Sequence, residues 1–191
     1  GDKESVDQAA VDGMRHILSS VDIAGTIVIG EGEKDEAPML HNGEEVGTGR
    51  GLSADVAVDP VDGTTLTAQG MPGAVAVIAV AERGAMYAPG RLVYMDKIAV
   101  GPGLPDGIVD LDNEPADNLA ALADAKGTKV TDLVVCMLDR PRHAELIAKI
   151  RETGARIRLI QDGDVSGVIA ATQPEVGVDI FLGIGGAPQG V

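Results

Sequence analysis

Helix-like and strand-like segments alternate regularly through the second half of the chain, and this alternation constrains the fold more than any other feature. The predicted order is helix 114–125, strand 132–138, helix 140–153, strand 155–160, helix 165–171 and strand 178–182. A strand that is joined to the next one by a helix normally pairs with it in parallel. The alternation therefore predicts an α/β architecture with a parallel sheet built from βαβ units.

Polar segments follow each of these predicted strands, namely 139–143, 161–164 and 183–190. Ligands of open α/β sheets gather at the carboxyl ends of the strands, so we expect these segments to line a binding site. Arg140 and Arg142 lie at a predicted helix start, where a cation opposes the helix dipole and so indicates an anion. His143 is expected to be a helix-surface residue rather than a catalytic base.

The first half is predicted to hold an amphipathic helix and a sheet. Apolar residues recur at helical spacing through 5–21, which indicates a helix with one buried face. The predicted strands are 26–29, 54–58, 74–80 and 95–100. The last two are continuous apolar runs, which favours a sheet buried on both faces. Glycine and proline in 101–107 predict a linker, which divides the chain into two domains, residues 1–100 and residues 101–191.

The run Asp-Pro-Val-Asp-Gly-Thr-Thr at 59–65 follows one of these strands. We expect the strand to stop at the Asp-Pro pair, the chain to turn through Asp-Gly, and Thr64 or Thr65 to cap a following helix. Two carboxylates, a hydroxyl and a helix N-terminus then converge, which suits a divalent metal ion that holds a phosphate. An ordinary turn with solvated carboxylates is the alternative.

A second acidic segment follows the predicted strand 26–29. Glu31 comes first after that strand and is the better candidate for a metal ligand. Glu33, Asp35 and Glu36 are expected to be solvated loop residues.

The formal net charge of −15 argues against nucleic acid or an anionic membrane as a partner, because a basic footprint is missing. A phosphorylated ligand would be repelled by such a surface unless bound cations, or local lysine and arginine side chains, reverse the field at the site. The single cysteine, Cys136, lies in an apolar run and is expected to be a buried core residue.

No apolar run approaches the roughly 20 residues that span a bilayer, and no signal peptide opens the sequence, so we expect a cytoplasmic protein. The sequence starts with glycine and ends within a segment that resembles a functional loop. We therefore expect it to be a piece of a longer protein.

Several motifs together resemble one family over nearly the whole chain: Gly-Asp-Lys at 1–3, Ile-Gly-Glu-Gly-Glu-Lys-Asp-Glu-Ala-Pro-Met-Leu at 29–40, Val-Gly-Thr-Gly at 46–49, residues 59–66, Arg-Pro-Arg-His at 140–143, Asp-Gly-Asp at 162–164 and residues 183–191. The chain resembles the class II, bacterial-type fructose-1,6-bisphosphatases of the lithium-sensitive metal-dependent phosphatase superfamily. The Asp-Pro-x-Asp-Gly-Thr element is shared with inositol monophosphatases, whereas 29–40 and Gly-Ile-Gly-Gly-Ala-Pro are narrower and decide the class.

The resemblance implies a sugar-phosphatase-type layered α/β sandwich. Residues 1–100 would form a mixed-sheet domain that binds metal and phosphate, and residues 101–191 a parallel βαβ domain that binds substrate and is incomplete at its C-terminal end. The metal site would lie at the junction. The implied reaction is hydrolysis of the 1-phosphate of fructose 1,6-bisphosphate to fructose 6-phosphate and phosphate, in gluconeogenesis. Two or more Mn²⁺ or Mg²⁺ ions and, at full length, a homo-oligomer are also implied.

The same resemblance assigns site residues. Thr64 would orient the water nucleophile, Asp59 would be catalytic, and Lys3 would lie beside the phosphate. The implied metal ligands are Asp7, Glu31, Asp59, Asp62 and, where the family has glutamate, Gln189. The implied substrate site consists of Asp62, Gly63, Thr64, Tyr94, Arg140, Pro141, Arg142, Asp162, Gly163, Asp164 and Gly186. Carboxylates about 4 Å apart repel by roughly 4 kcal/mol per pair at an effective dielectric near 20, so such a cluster needs cations.

Two alternatives stay open, one for the substrate of the enzyme and one in which the chain is not a working enzyme. Photosynthetic relatives share these motifs, so sedoheptulose 1,7-bisphosphate, or both sugars, could be the substrate. A non-catalytic degenerate relative or an inactive fragment is the other alternative, because Gln189 carries no charge and complete members extend at both ends. Arg140 and Arg142 are expected to hold the 6-phosphate that is not cleaved.

Overall fold

A computed structural model describes residues 2–32, 39–90 and 92–190 of the chain. The chain groups into two compact units. The first unit runs to Val93 and includes Ala187–Gln189, and the second consists of Tyr94–Gly186 with Gly190. Each unit has its own sheet of four strands within the described ranges.

The first unit is built on a mixed sheet, as predicted. Its elements are α1 (Lys3–Leu18), β1 (Ile23–Ile29), β2 (Glu45–Val46), β3 (Leu52–Asp62), α2 (Thr64–Ala68) and β4 (Val75–Glu82). The strand order is β2-β1-β3-β4. The central pair β1 and β3 is parallel, whereas both outer strands pair antiparallel.

Helix α1 begins where Asp2 caps it. The Asp2 carboxylate accepts a hydrogen bond from the backbone N–H of Ser5 at 3.0 Å, and such a cap stabilises a helix by about 1 kcal/mol. Val11 and Leu18 of α1 are buried against the sheet. At 16 residues, α1 is the longest helix in the described ranges. No helix in these ranges is both long enough and apolar enough to cross a membrane.

Strand β3 continues beyond the point where the sequence predicts its end. Asp59 pairs with Val77 of β4 and Asp62 pairs with Val75, so three steps along β3 match two along β4. The extra residue makes a bulge between Asp59 and Asp62, a stretch that contains Pro60. Because proline has no N–H to donate to the ladder, a bulge is one of the few places in a sheet that accept it. The prediction that the strand stops at the Asp-Pro pair is therefore wrong.

The turn comes instead at Gly63, whose φ of 103° is left-handed and favours glycine. Gly63 is itself the N-cap residue of α2, and no side chain caps this helix. Thr64 is the first helical residue, so the expected capping role of Thr64 or Thr65 is wrong. The Thr64 hydroxyl is left for another use.

Strand β4 corrects a further expectation, that the sheet is buried on both faces. Ile78 and Val80 are 47% and 56% exposed. The buried cluster beneath α1 takes its strand residues from β1, β2 and β3. Because β4 is the edge strand, it lies outside the area that α1 covers.

The second unit confirms the predicted alternation of helix and strand. Its elements are β5 (Tyr94–Val100), α3 (Pro115–Lys126), β6 (Val134–Leu138), α4 (Ala144–Glu152), β7 (Arg156–Ile160), α5 (Asp164–Thr172) and β8 (Ile180–Gly186). The strand order is β5-β8-β6-β7, in which β8, β6 and β7 are parallel. The predicted division after residue 100 would place β5 in the first domain, whereas here it pairs antiparallel with β8 along its whole length. The predicted linker 101–107 lies inside this unit, after β5.

Helices cover both faces of the second sheet, as successive residues of β6 show. Val135 and Met137 pack with α3 and α4, whereas Cys136 packs on the opposite face with Ala171 of α5 and with Phe181. Cys136 is a free, buried cysteine, as predicted, and burial raises the pKa of its thiol.

His143 is fully buried and is not the helix-surface residue that the sequence predicts. Its Nδ1 lies 2.7 Å from the carbonyl oxygen of Leu138, and its Nε2 accepts the backbone N–H of Ile184 at 2.8 Å. Because a backbone N–H can only donate, Nε2 carries no hydrogen and Nδ1 donates to Leu138. A Cβ at Gly183 would lie 3.1 Å from the ring. The imidazole thus ties the end of β6 to β8, which continues as a strand through residues predicted to be a glycine-rich turn.

We expect His143→Ala to lower the free energy of unfolding by about 3 kcal/mol, since it removes two buried hydrogen bonds and leaves a cavity. Denaturation in urea measures this change. The matched control is His16→Ala, which alters an exposed histidine of α1. Equal losses in the two variants would contradict the role of His143 as a buried tie.

Candidate functional site

Thr64 links the start of α2 to α1. Its hydroxyl donates to Oδ1 of Asp7 at 3.0 Å and makes a longer contact of 3.3 Å with the carbonyl oxygen of Val61. Asp7 lies on α1, 57 residues earlier in the chain. The hydroxyl that does not cap α2 is thus directed at a predicted metal ligand.

The bulge in β3 places Asp59 and Asp62 on the same face of the sheet. Residues three apart in a regular strand face opposite sides, but the partners of these two, Val77 and Val75, are two apart and share a face. Asp62 is 7% exposed and ends the strand. The extra residue between them therefore turns both carboxylates to one face of the sheet.

Gln189 lies beside Asp59. Its side-chain amide donates to Oδ2 of Asp59 at 3.0 Å, and the other oxygen of Asp59 accepts the backbone N–H of Val61 at 3.1 Å. A hydrogen bond of 2.9 Å from the Ala187 N–H to the carbonyl of Val93 helps to hold the Ala187–Gln189 segment in the first unit. A glutamate at 189 would place two carboxylates at this distance, where they repel unless a cation lies between them.

Glu31 completes the group. Although the residue is exposed as a whole, partial burial of its carboxyl, with repulsion from Asp59 and Asp7, raises its pKa to about 7. Asp7 and Asp59 are therefore both within electrostatic range of Glu31. Within the described ranges, however, no three histidine, cysteine, aspartate or glutamate side chains converge closely enough to form a ready-made metal-ligand set.

The chemistry of these donors fits a hard divalent cation, since all of them are oxygen ligands and burial, with repulsion from Asp59 and Asp7, raises the pKa of Glu31. Lys3 adds a positive group at the same end of α1, where its Nζ donates to the hydroxyl of Thr65 at 2.9 Å. Glu33, Asp35 and Glu36, which are predicted to be solvated loop residues, lie outside the described residues.

The implied substrate residues of the second unit all lie at one end of its sheet. This end consists of the carboxyl ends of β6, β7 and β8 and the amino end of the antiparallel β5. The residues are Arg140, Pro141 and Arg142 after β6, Asp162, Gly163 and Asp164 after β7, Gly186 at the end of β8, and Tyr94, which pairs with Gly186. Such an edge is where open α/β sheets bind ligands.

Both guanidinium groups at this end are engaged with the protein. Nε and Nη2 of Arg142 donate to the carbonyl oxygen of Ile184 at 3.0 and 2.7 Å, and the guanidinium lies 5.1 Å from the ring centre of Tyr94. Arg140 pairs with Asp162 at 3.3 Å and donates to a backbone carbonyl of the same segment. Their role in holding a phosphate stays a prediction.

Sequence reasoning missed Lys97 and the structural use of His143. Lys97 lies on β5, is 8% exposed, and places its Nζ 2.6 Å from Oδ2 of Asp164. A single lysine inside a predicted apolar strand was the available signal, because a lysine is rarely buried without a partner. Its partner could not be read from the sequence, since Asp164 is 67 residues away.

Comparison with known proteins identifies the family. Residues 1–191 match the family described as bacterial fructose-1,6-bisphosphatase, glpX-encoded. The chain is 50% identical over 192 residues to fructose-1,6-bisphosphatase 1 class 2 of Escherichia coli K12. It has the same identity to the class 2 fructose-1,6-bisphosphatases of Escherichia coli O6:H1 and Shigella flexneri. These alignments cover 100% of this chain and 56% of each relative, so the chain spans about half the length of the curated relatives that it matches. The chain therefore belongs to the glpX-encoded family of bacterial fructose-1,6-bisphosphatases.

Proposed function

We propose that this chain supplies the metal-binding and sugar-binding regions of a phosphatase that hydrolyses the 1-phosphate of fructose 1,6-bisphosphate, a reaction of gluconeogenesis. The products are fructose 6-phosphate and inorganic phosphate. The names of relatives at 50% identity support this substrate. The observation that carries the reaction type is the Thr64 hydroxyl bonded to Asp7, a carboxylate that lies, like Asp59, within electrostatic range of Glu31.

The proposed role of Thr64 is to orient a water molecule. Because its hydroxyl hydrogen is donated to Asp7, the hydroxyl oxygen is left to accept a hydrogen from that water. The bond fixes the direction of the remaining lone pairs and so the position of the water. When the water attacks phosphorus, its proton passes to the Thr64 oxygen as the Thr64 hydrogen passes to Oδ1 of Asp7.

The proposed cation ligands are Asp7, Glu31, Asp59 and Asp62. Divalent cations such as Mn²⁺ or Mg²⁺, held there, would stabilise negative charge on the transferring phosphoryl group and the leaving oxygen. The chain itself brings Asp7 and Asp59 within electrostatic range of Glu31 and places Asp59 and Asp62 on one face of β3. Lys3, beside Thr65, supplies a fixed positive charge for a phosphate oxygen.

The sugar and its second phosphate are assigned to the second unit. Carboxylate and guanidinium groups at the ends of β6 and β7 suit sugar hydroxyls and the uncleaved 6-phosphate. The bonds from Arg142 to the carbonyl of Ile184 hold this guanidinium in one orientation, so less rotamer freedom is lost on binding.

One observation favours a second candidate, a binding protein of the same family without turnover. The Gln189 amide donates to Asp59 at 3.0 Å, so it supports the carboxylate without any cation and contributes no charge toward one. Phosphate release from fructose 1,6-bisphosphate, measured with and without Mn²⁺, separates the two candidates.

Removal of divalent metal is expected to abolish hydrolysis and lower thermal stability. A cation that binds only the folded state stabilises it by about 2.7 kcal/mol when its free concentration is about 100 times its Kd. Asp59→Asn should lose both the thermal shift with Mn²⁺ and the turnover. The matched control is Asp12→Asn, which changes an exposed aspartate of α1. Hydrolysis that survives both a chelator and Asp59→Asn would contradict the metal site.

Thr64→Ala is expected to lower kcat by about 100-fold with little change in KM, since orienting a water acts mainly in the transition state. Thr64→Ser retains the hydroxyl and should keep much of the rate. Thr67→Ala is the control in the same helix, because the Thr67 hydroxyl donates to the carbonyl oxygen of Gly63 and not to a predicted metal ligand. A Thr64→Ala enzyme that is destabilised but keeps its kcat would show that the hydroxyl is structural.

Gln189→Glu is expected to lower the Mn²⁺ concentration for half-maximal activity by about tenfold, since an added carboxylate raises the charge of the ligand set. Without metal, the same variant should be less stable than the wild type, because two carboxylates then face each other. Gln173→Glu, at an exposed position after α5, controls for the change in net charge. Identical Mn²⁺ titrations for wild type and Gln189→Glu would remove position 189 from the metal site.

A further inference from the structure

Lys97 and Asp164 form an ion pair that differs from the others in the described ranges. Their side chains are 6% and 9% exposed, whereas every other pair there has at least one side chain above a tenth exposed. Removing two charges from water is costly, and removing one partner leaves an uncompensated buried charge. The structure around a buried ion pair therefore depends strongly on the presence of both side chains.

The pair packs directly on the backbone of β8. A Cβ at Gly185 would lie 1.7 Å from Oδ2 of Asp164 and 3.0 Å from Nζ of Lys97. Only a glycine leaves room for both charged groups here. The contact is made one residue before Gly186, which the family resemblance places in the substrate site.

Asp164 is also the first residue of α5. It follows Gly163, whose φ of 93° is left-handed, and Asp162, which pairs with Arg140. The position of the Asp164 carboxylate therefore fixes the turn that contains all three residues. The Lys97 ammonium group joins this turn to β5, the strand that pairs with β8.

We propose that Lys97 is a positioning residue for sugar binding: its ammonium group holds Asp164, and with it the 162–164 turn, against β8 at the ligand-binding end of the second sheet. This inference rests on the proposed function for the identity of the sugar. Without the ammonium group, the buried Asp164 carboxylate has lost its ion-pair partner, so it leaves its position against β8 and the turn moves with it. Lys97 touches no substrate in this account and acts only through Asp164.

The test measures the Kd for fructose 6-phosphate by calorimetry, together with the thermal midpoint, in Lys97→Met, Asp164→Asn and the double variant. Lys97→Met should weaken binding by about tenfold and lower the midpoint, since it leaves a buried carboxylate unpaired. The double variant removes both charges, so its midpoint should return toward the wild type while binding stays weak. Lys149→Met is the matched control, because its ion pair with Glu114 has side chains 45% and 66% exposed; it should match the wild type in both measurements.

Two outcomes would overturn the inference. One is a Lys97→Met protein that binds fructose 6-phosphate as the wild type does. The other is a double variant that recovers binding together with stability, which would make the pair merely structural. Hydrolysis of fructose 1,6-bisphosphate is assayed separately: a wild type that binds fructose 6-phosphate without hydrolysis would end the proposed function but leave this test valid. A wild type that does not bind fructose 6-phosphate would contradict both the proposed function and the inference about Lys97.

Discussion

The inability of Pro60 to donate a hydrogen bond shapes the candidate metal site of the first unit. A regular ladder through this residue would leave a gap in the hydrogen bonding and would point Asp59 and Asp62 to opposite faces. The bulge adds one residue, so the ladder needs no N–H from Pro60 and Asp59 and Asp62 face the same side. It also delays the turn to Gly63, which places Thr64 inside the first turn of α2 and within reach of Asp7. One missing N–H thus determines where two carboxylates and a hydroxyl lie.

Charge is the second constraint on the first unit. Burial of the Glu31 carboxyl, together with repulsion from Asp59 and Asp7, raises its pKa, and Gln189 donates to Asp59 through a neutral amide. An amide and a cation can both stabilise the same carboxylate, but the amide does so at every metal concentration. At the proposed metal site, Gln189 would therefore weaken the link between folding and metal binding that a full set of carboxylates would impose.

The sequence predicted those regions of the structure that depend on neighbours along the chain. The alternation from 114 to 182 predicted the α/β unit because helix and strand periodicity are local. The motif at 59–65 predicted a helix after Asp-Gly, but not that its Thr64 hydroxyl would donate to Asp7, 57 residues earlier. It did not predict the continuation of β3 past Pro60, because that depends on the register with β4. The burial of His143 and the pairing of Lys97 were missed for the same reason. Their partners come from β8 and α5, which are distant in sequence and adjacent only in the folded sheet.

Glycines in β8 have a consequence for how this region can evolve. At Gly183 and Gly185 the space that a side chain would fill is occupied by groups from other elements, the ring of His143 and the ion pair of Lys97 with Asp164. The identity of each glycine is therefore set by residues far from it in sequence. Substitution at 185 becomes tolerable only after the ion pair has been lost, so these three positions should change together among descendants or remain fixed together. Gly185, Lys97 and Asp164 thus form a set of positions that are inherited together, and the glycine is required only while the two charged side chains are present.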